Sequence, residues 1–274
     1  MLLTGQHSKL PGPQPVVMQE REIGPPVSIV GGDVLEIRVG DHTASLFIPD
    51  EWKGKDGEAL WVHFHTAPWF VIQEFQRAGH RGPVAIFNLG QGSKTYARPF
   101  EKVGSFAPWR SAFEDRLGIT LGRLNFTSFS AGYGAVRNLI ADPAVLASLG
   151  TVILADSLYG SLVEGATTRQ VFPAHVDCWR GLRDRAIAGE CTWIVTTSQI
   201  TPDTYAGTWE VGLALVASVG GKMVDTPGGT ASQRLLRSHR NGRWFVWSYA
   251  GEDAVAHMTH PRRLAELIME SRKQ

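Results

Sequence analysis

The chain is expected to fold as one α/β domain around a mostly parallel central sheet, on three observations. Short runs rich in apolar residues recur along it, each as long as a strand buried on both faces. Stretches with helical spacing separate those runs. The length, 274 residues, suits a single undivided domain of that class.

The elements follow in order. Residues 1–27 carry Pro11, Pro13, Pro15, Pro25 and Pro26, which leaves neither a regular helix nor a central strand. This segment reads as a surface arm, with the α/β domain over 28–274. Leu35, Ile37 and Val39 alternate with Glu36 and Arg38 as in a half-buried strand, and Ala44 to Ile48 reads as a second. These N-terminal strands are expected to be antiparallel. Buried strands are expected at 59–64, 84–89, 124–129, 151–155 and 192–197, and helices at roughly 70–78, 108–117, 131–141, 174–188 and 204–219. Such alternation implies βαβ units with right-handed crossovers and helices on both faces. Leu235–His239 and Arg243–Tyr249 flank Asn241-Gly242, a hairpin signal. A last helix begins near Pro261, with Leu264, Leu267 and Ile268 at helical spacing.

Composition narrows the function classes. The formal net charge is +1, without a basic stripe, so nucleic acid is not an expected partner. A small molecule is the expected substrate. No apolar stretch reaches the ~20 residues that span a bilayer, and the N-terminus lacks the pattern of a signal peptide, so the cytoplasm is the expected location. Cys178 and Cys191 read as two free thiols, far enough apart in sequence that they could also bridge, and neither is at zinc-ligand spacing.

The most informative stretch is Leu124-Asn-Phe-Thr-Ser128-Phe129-Ser130-Ala131-Gly132-Tyr133-Gly134. A buried strand ends at Phe129 and a helix opens just after Ser130. Between them, Ser128-Phe-Ser130-Ala-Gly132 resembles the G-x-S-x-G nucleophile elbow. A serine at the apex of so sharp a turn needs small neighbours two positions away on either side, and Ser128 and Gly132 are small. The turn exposes the serine oxygen and aims the free amides of the new helix at it, so the Ala131 N–H can donate to a developing oxyanion.

On this motif and the order of elements, residues 34 to 272 resemble the α/β-hydrolase superfamily. The resemblance implies a serine hydrolase with Ser130 as nucleophile, an acyl-enzyme intermediate and no cofactor. Carboxylic esters are the expected substrates, with amide or peptide cleavage as the close variant. In that superfamily the strand before the first crossover helix ends in a His-Gly type loop that completes the oxyanion hole. Here His65-Thr66 stands at that position, so Thr66 or Ala67 is the expected second donor. The chain order Ser, Asp or Glu, His places the base after the last strand. His257, in the loop following Tyr249, is the favoured base. His260, just before Pro261, is the alternative and reads equally well as a helix N-cap. For the acid, Asp156 at the end of 151–155 is favoured. Asp203 is the alternative; it follows the next strand, the commoner place, but Pro202-Asp203-Thr204 is also good N-cap chemistry.

The loops at the strands' C-terminal ends supply candidate pocket residues: His65, Trp69, Tyr96, Tyr133 and Tyr159, with Phe70, Phe100 and Tyr205 nearby. The segment after Asp156 is too short for a large helical cap, so an open site is expected. Gly90-Gln-Gly-Ser-Lys-Thr lacks the full phosphate-loop pattern. Two rival readings differ in kind. His63 and His65, at i and i+2 of a strand, would face one side and could serve a metal-dependent hydrolase, although no metal is expected because no companion ligands follow them. A non-catalytic binding protein of the same fold would keep the pocket without an intact triad.

Overall fold

The computed structural model describes residues 24–230 and 233–273. Most of the proline-rich arm, residues 1–23, lies outside the described residues. Ten strands form one open mixed sheet: β1 (Gly32–Val39), β2 (His42–Pro49), β3 (Leu60–Phe64), β4 (Val84–Phe87), β5 (Leu124–Phe129), β6 (Leu149–Ala155), β7 (Thr192–Thr197), β8 (Val224–Thr230), β9 (Gln233–Asn241) and β10 (Trp244–Tyr249). Their spatial order is β1-β2-β4-β3-β5-β6-β7-β10-β9-β8. The six central strands, β4 to β10 in that order, are parallel, and the two at each end join antiparallel.

Of the parallel strands β3, β4, β5 and β7 are buried along their full length, and β6 and β10 over most of it, because helices cover both faces. Side chains alternate between two cores. Val152 and Leu154 of β6 point into the larger one, with α3 (Ala107–Leu117), α4 (Tyr133–Leu139), α6 (Ala174–Asp177), α7 (Arg180–Ile187) and α8 (Thr208–Ala217). Ile153 and Ala155 point into the smaller one, under α1 (Pro68–Arg77) and α10 (Leu264–Ser271). Short helices α2 (Ser93–Ala97), α5 (Pro143–Ser148) and α9 (Ala254–Thr259) complete the chain.

Several boundaries differ from the sequence expectation. The helix expected over 174–188 breaks around Trp179, whose fully buried ring stacks on Trp193 at 5.8 Å. The helix expected from 204 starts only at Thr208, capped by Gly207 and Glu210, so Asp203 caps nothing and lies on the exposed loop before it. The hairpin loop is Gly242-Arg243, one residue later than expected, with Trp244 opposite Asn241. His257 sits inside α9 rather than in a free loop, because Asp253 caps that helix through the Ala256 amide. Residues 157–173 bridge Gly160 to Ala206 and Leu162 to Val171 without a large cap domain.

Candidate active site

Three adjacent parallel strands, β3, β5 and β6, deliver the site at their C-terminal ends. Immediately after each strand stands a residue in the left-handed region: His65 (φ 70°), Ser130 (φ 47°) and Asp156 (φ 43°). They are the only such non-glycine residues among those described. A backbone of this kind persists in a non-glycine residue only where its surroundings hold it, and it concentrates at functional sites.

Ser130 is half-buried at the junction of β5 and the 3₁₀ turn Ser130–Gly132, which leads into α4. The turn fits because Gly132 has no side chain: a Cβ there would lie 2.2 Å from the Phe64 carbonyl oxygen. A Cβ at Gly134 would lie equally close to the Ser93 carbonyl oxygen. At the first turn the Ala131 amide has no intrahelical acceptor and is available to a ligand.

Asp156 is fully buried. One carboxylate oxygen accepts from the Ser198 amide at 2.8 Å and from the Thr208 hydroxyl. The other accepts from His257 Nδ1 at 2.6 Å. Burial works against the charge, but nearby His260, His257 and the Thr208 hydroxyl outweigh it and hold the carboxyl well below the usual carboxylate range. The aspartate therefore stays ionised and fixes the proton on His257 Nδ1, leaving Nε2 as an acceptor. The His257 ring lies against Phe129, the residue before Ser130, with centroids 4.5 Å apart. Among the described residues no hydrogen bond joins the His257 ring to the Ser130 hydroxyl.

The alternatives are placed elsewhere. Asp203 is exposed, whereas Asp156 holds His257. His260 is buried with Nδ1 2.7 Å from the Thr196 hydroxyl, and burial lowers it to about 4. His63 has both ring nitrogens engaged, one 2.7 Å from the Thr127 hydroxyl and one 3.1 Å from the His65 carbonyl. Burial drives it down to about 3. His63 and His65 do not form a strand pair, because β3 ends at Phe64 and His65 turns out of it. Among the described residues no cluster of three or more His, Cys, Asp or Glu is arranged to hold a metal.

His65 is buried, held at about 4 by desolvation, with Nδ1 2.8 Å from the Tyr96 hydroxyl. Tyr96 is fully buried, and its hydroxyl also accepts from the Leu89 amide and donates to the Gly90 carbonyl. It therefore anchors the His65 loop rather than lining a pocket. Thr66 is buried, its hydroxyl donating to the His65 carbonyl. Trp69 is half-buried in the first turn of α1. Tyr133, Tyr159 and Tyr205 form a row of half-buried rings with centroids 5.6 and 5.7 Å apart, and Tyr159 interacts with the Ser130 side chain. Arg169 braces the outer wall, bidentate to Glu210 and bonded to the Tyr205 carbonyl. A separate cavity of about 490 Å³ lies between α8, β8 and β9, and Ser130, Asp156 and His257 do not line it.

Sequence reasoning missed Ser157. Its hydroxyl accepts from Ser128 Oγ and donates to the Ser130 carbonyl, both at 2.8 Å. The one available signal was serine in place of glycine at 128.

No protein-family model matches the chain, and no curated protein sequence does. Solved structures do. The feruloyl esterase module from Clostridium thermocellum, complexed with sinapinate, superposes with a TM-score of 0.53 at 8% identity, covering 94% of this chain and 92% of that one. The S-formylglutathione hydrolase from Agrobacterium tumefaciens gives 0.52 at 9% identity, covering 89% and 97%. Poly(aspartic acid) hydrolase-1 from Sphingomonas sp. KT-1 gives 0.51 at 10% identity, covering 87% and 98%. Likeness across nearly whole chains at such identities establishes the fold: this is an α/β-hydrolase fold.

Proposed function

We propose that this chain of α/β-hydrolase fold is a serine hydrolase acting on carboxylic esters, with Ser130 as nucleophile, His257 as base and Asp156 as the orienting acid. The observation that carries the reading is the 2.6 Å hydrogen bond from His257 Nδ1 to Asp156, which spans 101 residues of sequence and ends beside the elbow of Ser130. An ionised, fully buried acid locking the tautomer of an imidazole next to a strained serine is costly to build for packing alone.

The reaction follows from these groups. His257 Nε2 takes the Ser130 proton as Oγ attacks the substrate carbonyl, and the carbonyl π pair moves onto oxygen. That oxyanion accepts from the Ala131 amide and from the amide of Thr66 or Ala67. The imidazolium gives its proton to the departing alkoxide, and the C–O bond breaks to leave an acyl-Ser130. A water, deprotonated by the same imidazole, attacks that ester; the acid leaves and Ser130 recovers its proton. The open hydrogen bond between His257 and Ser130 is consistent with this scheme, since catalytic contacts in ligand-free sites commonly tighten only with substrate. The tyrosine row beside Ser130 favours an aromatic or extended apolar group on the ester, in keeping with the sinapinate carried by the feruloyl esterase module.

The test is turnover of a panel of alkanoyl, benzoyl and hydroxycinnamoyl esters by wild type, Ser130→Ala and His257→Ala. Ester hydrolysis lost in both variants supports the reading. Hydrolysis that survives Ser130→Ala rejects it.

A further inference from the structure

Two buried serines behind the elbow take no part in the chemistry above. Ser128 lies in β5 and Ser157 follows Asp156 at the end of β6, and both are fully buried. Pairing of β5 with β6, Phe129 opposite Ala155, brings them together. Ser128 Oγ donates to Ser157 Oγ at 2.8 Å, and Ser157 Oγ donates to the carbonyl of Ser130 at 2.8 Å.

The Ser130 carbonyl and the Ala131 N–H belong to one planar trans peptide, in which they point in opposite directions. A hydroxyl that draws the carbonyl inward therefore aims the amide outward, towards the substrate carbonyl. The same bond polarises the peptide, and the Ser128 hydroxyl polarises Ser157 in turn. Left-handed backbone at a serine needs such a restraint. We propose that Ser128 and Ser157 are positioning residues that aim the Ala131 amide of the oxyanion hole through the Ser130–Ala131 peptide plane. This explains why serine, rather than the more usual glycine, occupies 128: the smaller residue would remove the outer hydroxyl of the chain. The inference rests on Ser130 being the nucleophile.

The test compares wild type, Ser157→Ala, Ser157→Thr, Ser128→Ala and the double alanine variant. It uses ester kinetics, inhibition by phenylboronic acid and thermal melting. The boronic acid adds to a serine oxygen and becomes a tetrahedral anion with an oxygen in the oxyanion position. Ser157→Ala is expected to lose roughly tenfold in kcat with KM unchanged, and to bind phenylboronic acid weaker by a similar factor. Ser128→Ala is expected to lose about threefold, and the double variant about as much as Ser157→Ala, since Ser128 acts through Ser157. Ser157→Thr, which keeps the hydroxyl, should recover most of the loss. If Ser157→Ala melts before it can be assayed, the threefold loss in Ser128→Ala decides. Unchanged kcat and boronic-acid affinity in folded alanine variants, or a change confined to KM, overturns the inference and leaves the nucleophile assignment standing. Absence of Ser130-dependent turnover in wild type overturns both.

Discussion

Gly132→Ala places a methyl group against backbone. The added Cβ would lie 2.2 Å from the Phe64 carbonyl oxygen, 2.8 Å from its carbon and 3.0 Å from Phe64 Cβ. None of these is the free end of a flexible side chain, so relief requires β3 and the elbow to separate by about 1 Å in a close-packed region. Overpacking of this kind costs about 1–3 kcal/mol. At about 2–4 °C per kcal/mol for a domain near this size, the expected fall in Tm is roughly 2–12 °C. Both segments proposed to hold the oxyanion are displaced at once, because Phe64 precedes His65-Thr66 and Gly132 follows Ala131. A misplacement of about 1 Å is worth about 10²-fold in rate. Melting by calorimetry and steady-state ester hydrolysis should show both losses. A Gly132→Ala protein with wild-type Tm and wild-type kcat would refute the packing of the elbow against β3.

Two further outcomes are expected. Asp156→Asn should cut kcat by about 10³–10⁴-fold, because an amide no longer fixes the proton on His257 Nδ1, while Asp203→Asn leaves it unchanged; the reverse ranking in initial-rate assays would transfer the acid to Asp203. Burial raises the Glu74 carboxyl from 4.5 to about 7, although the Ala265 amide and Arg77 favour its charge. A carboxyl raised by folding stabilises the fold while protonated, and this contribution fades as pH climbs from about 4.5 through about 7, up to about 3 kcal/mol in all. The Tm of wild type should therefore drop relative to that of Glu74→Gln between about pH 5 and about pH 8, and parallel Tm profiles would contradict it.

How much of this was legible in the sequence differs by element. The runs at 124–129, 151–155 and 192–197 read as strands because burial on both faces favours short stretches of apolar residues interleaved with small or β-branched ones such as Thr127, Ser128 and Thr196. The elbow was legible because its small residues are a steric requirement of the turn. β8 was not: Val-Asp-Thr-Pro-Gly-Gly-Thr has neither alternation nor an apolar run, and it is a strand only because β9 pairs with it across a shifted register. The split at Trp179 was equally hidden, since helical spacing carries no sign that a tryptophan will turn into the core onto Trp193. In the sequence Asp156 is favoured over Asp203 because Asp203 reads as a helix cap, a reason the structure removes by starting the helix at Thr208. What distinguishes Asp156 instead is its left-handed backbone, together with the Ser198 and Thr208 donors and the His257 bond, none of these contacts local in sequence. Ser157 carried no local signal, because its role exists only once β5 and β6 are in register. Tyr96 is expected in the pocket from its place in a strand-end loop, and that place carries no sign of the hydroxyl network that buries it under the His65 loop.

The central claim is that Ser130 is a nucleophile activated by His257. Its most direct test is labelling with a fluorophosphonate, followed by peptide mapping, on wild type, Ser130→Ala and His257→Ala. The account predicts one adduct, on Ser130, formed at least about 10²-fold more slowly when His257 is alanine. An adduct on another residue, or labelling of Ser130 at the same rate without His257, would contradict it.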